Sequence, residues 1–550
     1  MNKVSAVGSL LFFIVFSFMI NSKLTAQSLP RPKLVVGIVV DQMRWDYLYR
    51  FYDNYKPTGG FKRILGEGFT CENTLIPYTP TITAVGHTCV YTGSVPAISG
   101  ITGNDWFDNK ADKGFYCVQD DSVETVGSTS TAGKMSPKNL LVTTVGDELR
   151  LATSFNSKVI GVAIKDRGAI LPAGHGASGA FWYDPASGNF VTSTYYMTEL
   201  PDWVKAFNSR KLVDSLYQSD WGYYLPKEAY AKTGLPDNLP FEYKPFGADQ
   251  PIMPYKLKQY AGKDFSKISF TPFGNTLTEQ MAEAAINGEN LGKSTNTDFL
   301  TVSFSSTDYI GHSFGPDSWE QMDDFARLDT ELGKLLDFLD AKVGKGQYTI
   351  FLTADHGVAH VPLYSKARKL PGGSFLDNVV FTDMNAKLTA KYGKEDIITG
   401  MFNYQVVLNE HLIDSAALPE NEIVKWIITY LEKQDAIAQA VDLRNLSNTT
   451  LNYKQKEMIS NGYFPQRCGQ IQIILKPGYV EGTGVGTSHG LWNPYDAHIP
   501  LLWYGWGIKH GSLNRETYMT DIAPTVAALL HIQMPSGTVG KVIEDVISKN

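Results

Sequence analysis

The chain has 550 residues, 43% of them hydrophobic and 12% aromatic, which is enough apolar material for a large globular core. Its 56 acidic against 49 basic side chains give a formal net charge of -7, and this argues against a nucleic-acid grip, which needs a basic face. The length exceeds the usual single domain, yet the residues that carry chemistry are scattered from end to end, so one core interrupted by insertions is expected.

Residues 1–26 carry Lys3, an apolar run over 7–20 and Leu24-Thr25-Ala26 ahead of Gln27, the layout of a cleavable secretory signal. The run is short for a membrane span. A periplasmic or secreted chain, with no stable membrane insertion after cleavage, is expected. Further along, strands are predicted over 34–40 and 158–163, a helix over 277–285, a strand over 299–304, a helix over 319–339, strands over 348–353 and 499–504, and a helix over 521–530. Short runs rich in β-branched residues alternating with helical periodicity predict an α/β fold: a mostly parallel central sheet covered by helices on both faces. Two stretches read differently. About 175–270 is aromatic-rich and heavy in Gly and Pro, while about 366–480 mixes short strands, helices and polar turns. Both are expected to be cap insertions in one catalytic domain over 27–550. Cys71, Cys89, Cys117 and Cys468 lack paired metal-binding spacing, and both disulfides and free buried thiols stay open for them.

Three of the predicted strands run directly, or within a few residues, into a carboxylate: Val40-Asp41, Phe304-Ser305-Ser306-Thr307-Asp308 and Thr353-Ala354-Asp355. The carboxyl ends of strands in an open α/β sheet share one edge, where ligands bind, so Asp41, Asp308 and Asp355 are expected to meet. His312 follows Asp308 by one helical turn and can reach the same ion. His356 directly follows Asp355, and His489 stands in Thr487-Ser488-His489-Gly490. Oxygen and nitrogen ligands without thiolates suit catalytic zinc, and acids in this number repel unless cations neutralise them. Singly, a strand-end Asp is ordinarily a helix cap and a His ordinarily structural; the joint occurrence at matching strand ends carries the reading. Among the remaining histidines, His87 and His360 are expected nearest the site as structural residues.

The segment Thr79-Pro80-Thr81-Ile82-Thr83-Ala84-Val85-Gly86-His87 supplies a nucleophile, because Thr83 at the mouth of a helix has its oxygen beside free backbone N–H groups. Coordination to a metal would lower its pKa further. Two zinc ions bring four positive charges, which Asp41, Asp308, Asp355 and a Thr83 alkoxide cancel. A phosphate monoester dianion then wants two more cations, and Lys165 and Arg167 offer them. A diester has one negative charge fewer and would use that pair less well.

In this order, and together with Val39-Val40-Asp41-Gln42-Met43-Arg44, Gly103-Asn104-Asp105-Trp106, Ile164-Lys165-Asp166-Arg167-Gly168-Ala169 and Ala354-Asp355-His356-Gly357, these residues resemble the alkaline phosphatase superfamily. Within it they resemble the phosphate-irrepressible alkaline phosphatases of PafA type, over nearly the whole chain after the leader. The loop departs from the family's Thr-x-Pro-Gly-His by carrying Val85 in place of Pro, which leaves Thr81 as a second candidate nucleophile. The resemblance implies two Zn2+ ions. Asp308, His312 and His489 would hold one, and Asp41, Asp355, His356 and the Thr83 oxygen the other. It also implies that Asn104, Lys165 and Arg167 bind the phosphoryl group, and that small-molecule phosphate monoesters are hydrolysed through a phosphothreonine on Thr83. A monomer is expected. The competing readings are a phosphodiesterase or nucleotide pyrophosphatase, which shares the metal ligands but generally lacks the Lys-Arg pair, and a non-catalytic binding protein, which needs no metal. A sulfatase would need a Cys/Ser-x-Pro-x-Arg motif that is absent here.

Overall fold

A computed structural model describes residues 29–548; the secretory signal expected over 1–26 lies outside the described residues. Among the described residues the central sheet has eleven strands. Nine of them are β1 (Leu34–Val40), β2 (Phe69–Leu75), β3 (Val159–Ala163), β4 (Gly179–Asp184), β5 (Asn189–Ser193), β6 (Asp298–Phe304), β7 (Tyr348–Thr353), β8 (Leu501–Gly505) and β9 (Gly511–Tyr518). They lie in the order β2-β8-β7-β1-β6-β3-β4-β5, with β9 also paired to β2 and the short strands His498–Ile499 and Thr125–Val126 at the two ends.

From β7 across β1, β6 and β3 to β4 every pairing is parallel. Every residue of β1, β6 and β7 is buried, so both faces of the sheet are covered. That is why these strands read as largely apolar runs rather than as regularly alternating ones. The late strand expected over 499–504 is instead two pieces, and β8 runs antiparallel to β7. Pro500 separates the pieces, because it has no N–H to give to the ladder.

The helices that matter for the site are α1 (Thr83–Thr92), α2 (Asp166–Ala173), α3 (Phe273–Gly288), α4 (Ser306–Phe314), α5 (Trp319–Leu339) and α6 (Ile522–Leu529). In α5 the buried Met322, Phe325, Leu328, Leu332, Leu335 and Leu339 recur every three or four residues and form its core face. Its first turn is closed by Ser318, whose hydroxyl accepts the Gln321 N–H at 3.1 Å.

The stretch 175–270 contributes β4 and β5 to the central sheet and then winds as an aromatic-rich layer in which Tyr217, Trp221, Tyr230 and Tyr255 are fully buried. Trp221 Nε1 donates to Asp323 Oδ2 on α5 at 2.8 Å. The same layer covers two buried carboxyls. Burial and the nearby Glu320 push Glu242 up to about 10, while burial and Asp237 push Glu320 up to about 8. Folded-state values above the unfolded one mean that their contribution to stability is whole below about pH 4.3 and is lost as pH rises through the folded values. Glu320→Gln is therefore expected to be less alkali-sensitive than the parent by a few kcal/mol in order of magnitude. Urea midpoints measured at pH 5 and pH 9 check this; parallel curves for the two proteins would refute it.

Within 366–480 a four-stranded antiparallel sheet runs in the order Ile398–Phe402, Gln405–Leu408, Ile471–Leu475, Ile437–Asp442. Helices Asp377–Tyr392 and Glu420–Leu431 pack on it around a separate apolar core that includes Met384, Leu388, Val406, Ile423, Ile427 and Ile473. All four cysteines are free and buried, so of the two open readings the structure holds the thiols.

Candidate metal centre and nucleophile

Asp41 follows β1 directly and extends its pairing by one residue, since its N–H donates to Phe304 O at 3.0 Å. Asp308 lies in the first turn of α4, just after β6, and Asp355 lies two residues past β7. Because β7, β1 and β6 are neighbours and parallel, their carboxyl ends deliver the three acids to one place. Asp41 and Asp355 are fully buried and Asp308 nearly so.

The three histidines face this cluster through Nε2. His312 Nε2 is 3.2 Å from Asp308 Oδ1 and His489 Nε2 3.8 Å from the same oxygen. His356 Nε2 is 3.7 Å from Asp41 Oδ1 and 3.5 Å from Asp355 Oδ2, and its ring stacks on His489 with 3.5 Å between centroids. In each ring the other nitrogen donates to a carbonyl: His312 Nδ1 to Thr487 O at 2.7 Å, His489 Nδ1 to Thr81 O at 2.7 Å and His356 Nδ1 to Gly357 O at 2.9 Å. A carbonyl can only accept, so a proton is held on Nδ1 and Nε2 is the nitrogen turned to the site.

Thr83 opens α1, is 2% exposed, and has its Oγ1 3.3 Å from His356 Nε2. Thr81, the other candidate, donates its hydroxyl to Leu491 O at 2.9 Å. With Val85 in the loop, α1 still begins at Thr83: Ile82 before it is extended, and the Gly86 N–H reaches Ile82 O at 2.9 Å. Gly86 packs directly on the Asp355 backbone, where a Cβ would come within 2.3 Å of Asp355 O. The missing side chain lets the helix that carries Thr83 close onto the end of β7.

Asn104 Oδ1 accepts the Ala84 N–H at 3.0 Å, which satisfies one of the free donors at the start of α1. Lys165 is buried, and its ammonium donates to Asp41 Oδ2 at 2.7 Å and to Asp308 Oδ2 at 2.6 Å. Arg167 stands beside this group: its Nη1 donates to the Tyr116 hydroxyl at 3.1 Å, and that hydroxyl donates to Asp166 Oδ1. Lys165 and Arg167 line a common cavity of about 290 Å³ together with Tyr116 and Tyr309. One cluster thus contains Asp41, Asp308, Asp355, His312, His356, His489, Thr83 and Lys165, with Asn104 and Arg167 adjoining it.

His87, expected near the site as a structural residue, lies there: its Nδ1 donates to Thr83 O at 2.9 Å and is 3.2 Å from Asp355 Oδ2. Its position four residues after Thr83, on the same helix face, was the available signal. Gln42 binds Asp308 and Asp355, and nothing in the local pattern marked it. His360, also expected nearby, pairs its ring with Asp317 at 2.6 Å, and its carbonyl lies 3.4 Å from the Thr487 hydroxyl.

Among the described residues, three groups of potential ligands have their donor atoms within 4.8 Å of one another: Asp308, His312 and His489; Asp41, Asp308 and His356; and Asp41, His87 and Asp355. Burial opposes charge on all three carboxyls. It combines with the facing Asp355 to push Asp41 well above the usual carboxylate range. For Asp308 it is outweighed by His312 and Lys165, and for Asp355 by His356 and His87, so both stay below that range. Burial, His356 and His312 hold the His489 imidazole well below its usual value, hence neutral. Asp41 Oδ1 and Asp355 Oδ2 are buried without a hydrogen-bond partner. Orphaned carboxylate oxygens facing imidazole nitrogens form a donor set that fits a divalent cation of zinc type.

A family model described as type I phosphodiesterase / nucleotide pyrophosphatase matches residues 35–493. The protein named alkaline phosphatase PhoV of Synechococcus elongatus is 52% identical over 521 residues, covering 95% of this chain and 94% of that one. A protein of Myroides odoratus named calcium-transporting ATPase is 48% identical over 541 residues and 97% of each chain. Alkaline phosphatase PafA of Elizabethkingia meningoseptica is 47% identical over 544 residues, 98% of this chain and 99% of that one. The crystal structure of wild-type alkaline phosphatase PafA superposes with a TM-score of 0.92 at 48% identity, over 95% of this chain and 100% of that one.

Proposed function

The chain belongs to the type I phosphodiesterase / nucleotide pyrophosphatase family and has an alkaline phosphatase-like α/β fold, and from this we propose that it is an exported alkaline phosphatase that hydrolyses phosphate monoesters with two zinc ions and Thr83 as nucleophile. The observation that carries the reading is the Thr83 hydroxyl, at the mouth of α1 and 3.3 Å from His356 Nε2, facing the convergent acids and imidazoles.

Asp308, His312 and His489 would hold one ion, and Asp41, Asp355, His356 and the Thr83 oxygen the other. Such a pair, when bound, lowers the pKa of the nucleophile and neutralises charge on the leaving oxygen. Thr83 gives up its hydroxyl proton as Oγ bonds to phosphorus, and the ester oxygen departs in line and takes up a proton to leave as the alcohol. Water then cleaves the phosphothreonine, which restores the hydroxyl and frees inorganic phosphate. With its Oδ1 tied to the Ala84 N–H, Asn104 keeps Nδ2 to donate to a phosphoryl oxygen. Lys165 and Arg167 add the two positive charges that match a monoester dianion.

Small-molecule monoesters rather than nucleic acid suit the acidic chain, and the leader pattern supports a periplasmic or secreted location. One relative's name invokes ion transport; no described helix of this chain is long and apolar enough to cross a membrane.

The family description itself favours a second reading, phosphodiester cleavage. Turnover of an aryl phosphate against its bis-aryl diester separates the two, and the monoester is expected to be preferred. Lys165→Ala and Arg167→Ala are each expected to lower kcat/KM for the monoester by about 10²-fold and for the diester by much less. A wild-type preference for the diester would reverse the assignment, and equal losses would remove the charge-matching role.

A further inference from the structure

Gln42 stands between the two proposed ligand sets. It is fully buried, and its φ of 65° puts a residue with a side chain in the left-handed region, where such residues persist only if their surroundings dictate it. Its backbone N–H donates to Asp355 Oδ1 at 3.0 Å, and its side-chain Nε2 donates to Asp308 Oδ1 at 2.7 Å. A single residue therefore restrains one carboxylate from each set while being the chain neighbour of Asp41. The Asp308 oxygen it holds is the one that faces His312 and His489.

Gly311, between Asp308 and His312 on α4, makes room for this amide: a Cβ there would lie 1.9 Å from Gln42 Oε1. Oε1 itself is buried with no donor. A strained backbone and an orphaned oxygen both cost stability, so the residue's two bonds to the acids, rather than the fold, account for its presence.

We propose that Gln42 is the positioning residue that sets the spacing between the two metal-ligand sets. The inference rests on the two-metal reading above. Metal content of the purified full chain, measured by mass spectrometry before and after challenge with graded chelator, tests it in the wild type, Gln42→Ala, Gln42→Gly and Gln42→Glu. The wild type is expected to retain two zinc ions. Q42A and Q42G are each expected to bind the ion of the Asp308 set 10- to 100-fold more weakly, with kcat falling more than KM changes. Q42E, of the same shape, is expected to lose it as well, because a carboxylate cannot donate to Asp308. Glycine accepts the left-handed φ, so Q42G is expected to unfold at no lower temperature than Q42A.

Two zinc ions in Q42A and Q42G, with the chelator resistance of the wild type, would overturn the role of Gln42 while leaving the two-metal reading intact. Failure of both variants to fold would overturn it too, by making Gln42 a structural residue. A wild type that holds fewer than two ions would instead defeat the reading on which the proposal stands.

Discussion

Thr83→Ala is expected to lower phosphate monoester turnover by ~10⁴-fold or more with the fold retained. The substitution removes one hydroxyl and one methyl from the first residue of α1, a position that alanine accepts readily. The one hydrogen-bond partner given up is His356 Nε2 at 3.3 Å, so the change in stability is on the order of 1 kcal/mol. What disappears is the atom that would bond to phosphorus. Acid-quenched reactions with labelled substrate are expected to trap phosphothreonine in the parent and none in the variant. Thr81→Ala serves as the control, since its hydroxyl is occupied by Leu491 O, and near-parental turnover is expected for it. Undiminished turnover in Thr83→Ala, or collapse in Thr81→Ala alone, would transfer the nucleophile's role elsewhere.

Stripping the protein with a chelator is expected to abolish activity and to lower Tm by roughly 5–10 °C, with both restored by added Zn2+. The physical reason lies in the charge balance of the cluster. Asp41, Asp308 and Asp355 are buried together, and Lys165 pairs with the first two of them. Ligands that bind only the folded state stabilise it by about 4 kcal/mol per site when present at a thousand times Kd, and two sites of that kind together account for the expected shift in a chain of this size. Reloading is expected to be tighter at higher pH, because the carboxylates and imidazoles must be deprotonated to bind a cation. Full activity in protein shown by elemental analysis to carry no metal would refute the two-zinc reading.

Much of the framework was legible because burial leaves a mark on composition. β1, β6 and β7 are covered on both faces, so each is largely apolar, and each is followed within a few residues by its acid. The spacing of Asp308 and His312 is likewise local, one turn of α4. β4 and β5 were harder to see: they lie in a stretch whose Trp, Tyr and Gly content reads as a cap, yet they extend the central sheet. The direction of β8 left no local trace either, because an antiparallel neighbour and a parallel one bury the same side chains.

By itself the sequence determined the α/β class, the strand-end acids, the short-range ligand spacings and the threonine at a helix mouth, since each depends on residues a few positions apart. Only the tertiary structure decided that β7, β1 and β6 are neighbours, that Lys165 enters between Asp41 and Asp308, that Tyr116 restrains Arg167, and that His87 and Gln42 brace the acids. Those contacts join residues tens to hundreds of positions apart, and strand order and helix packing, which no local pattern encodes, bring them together.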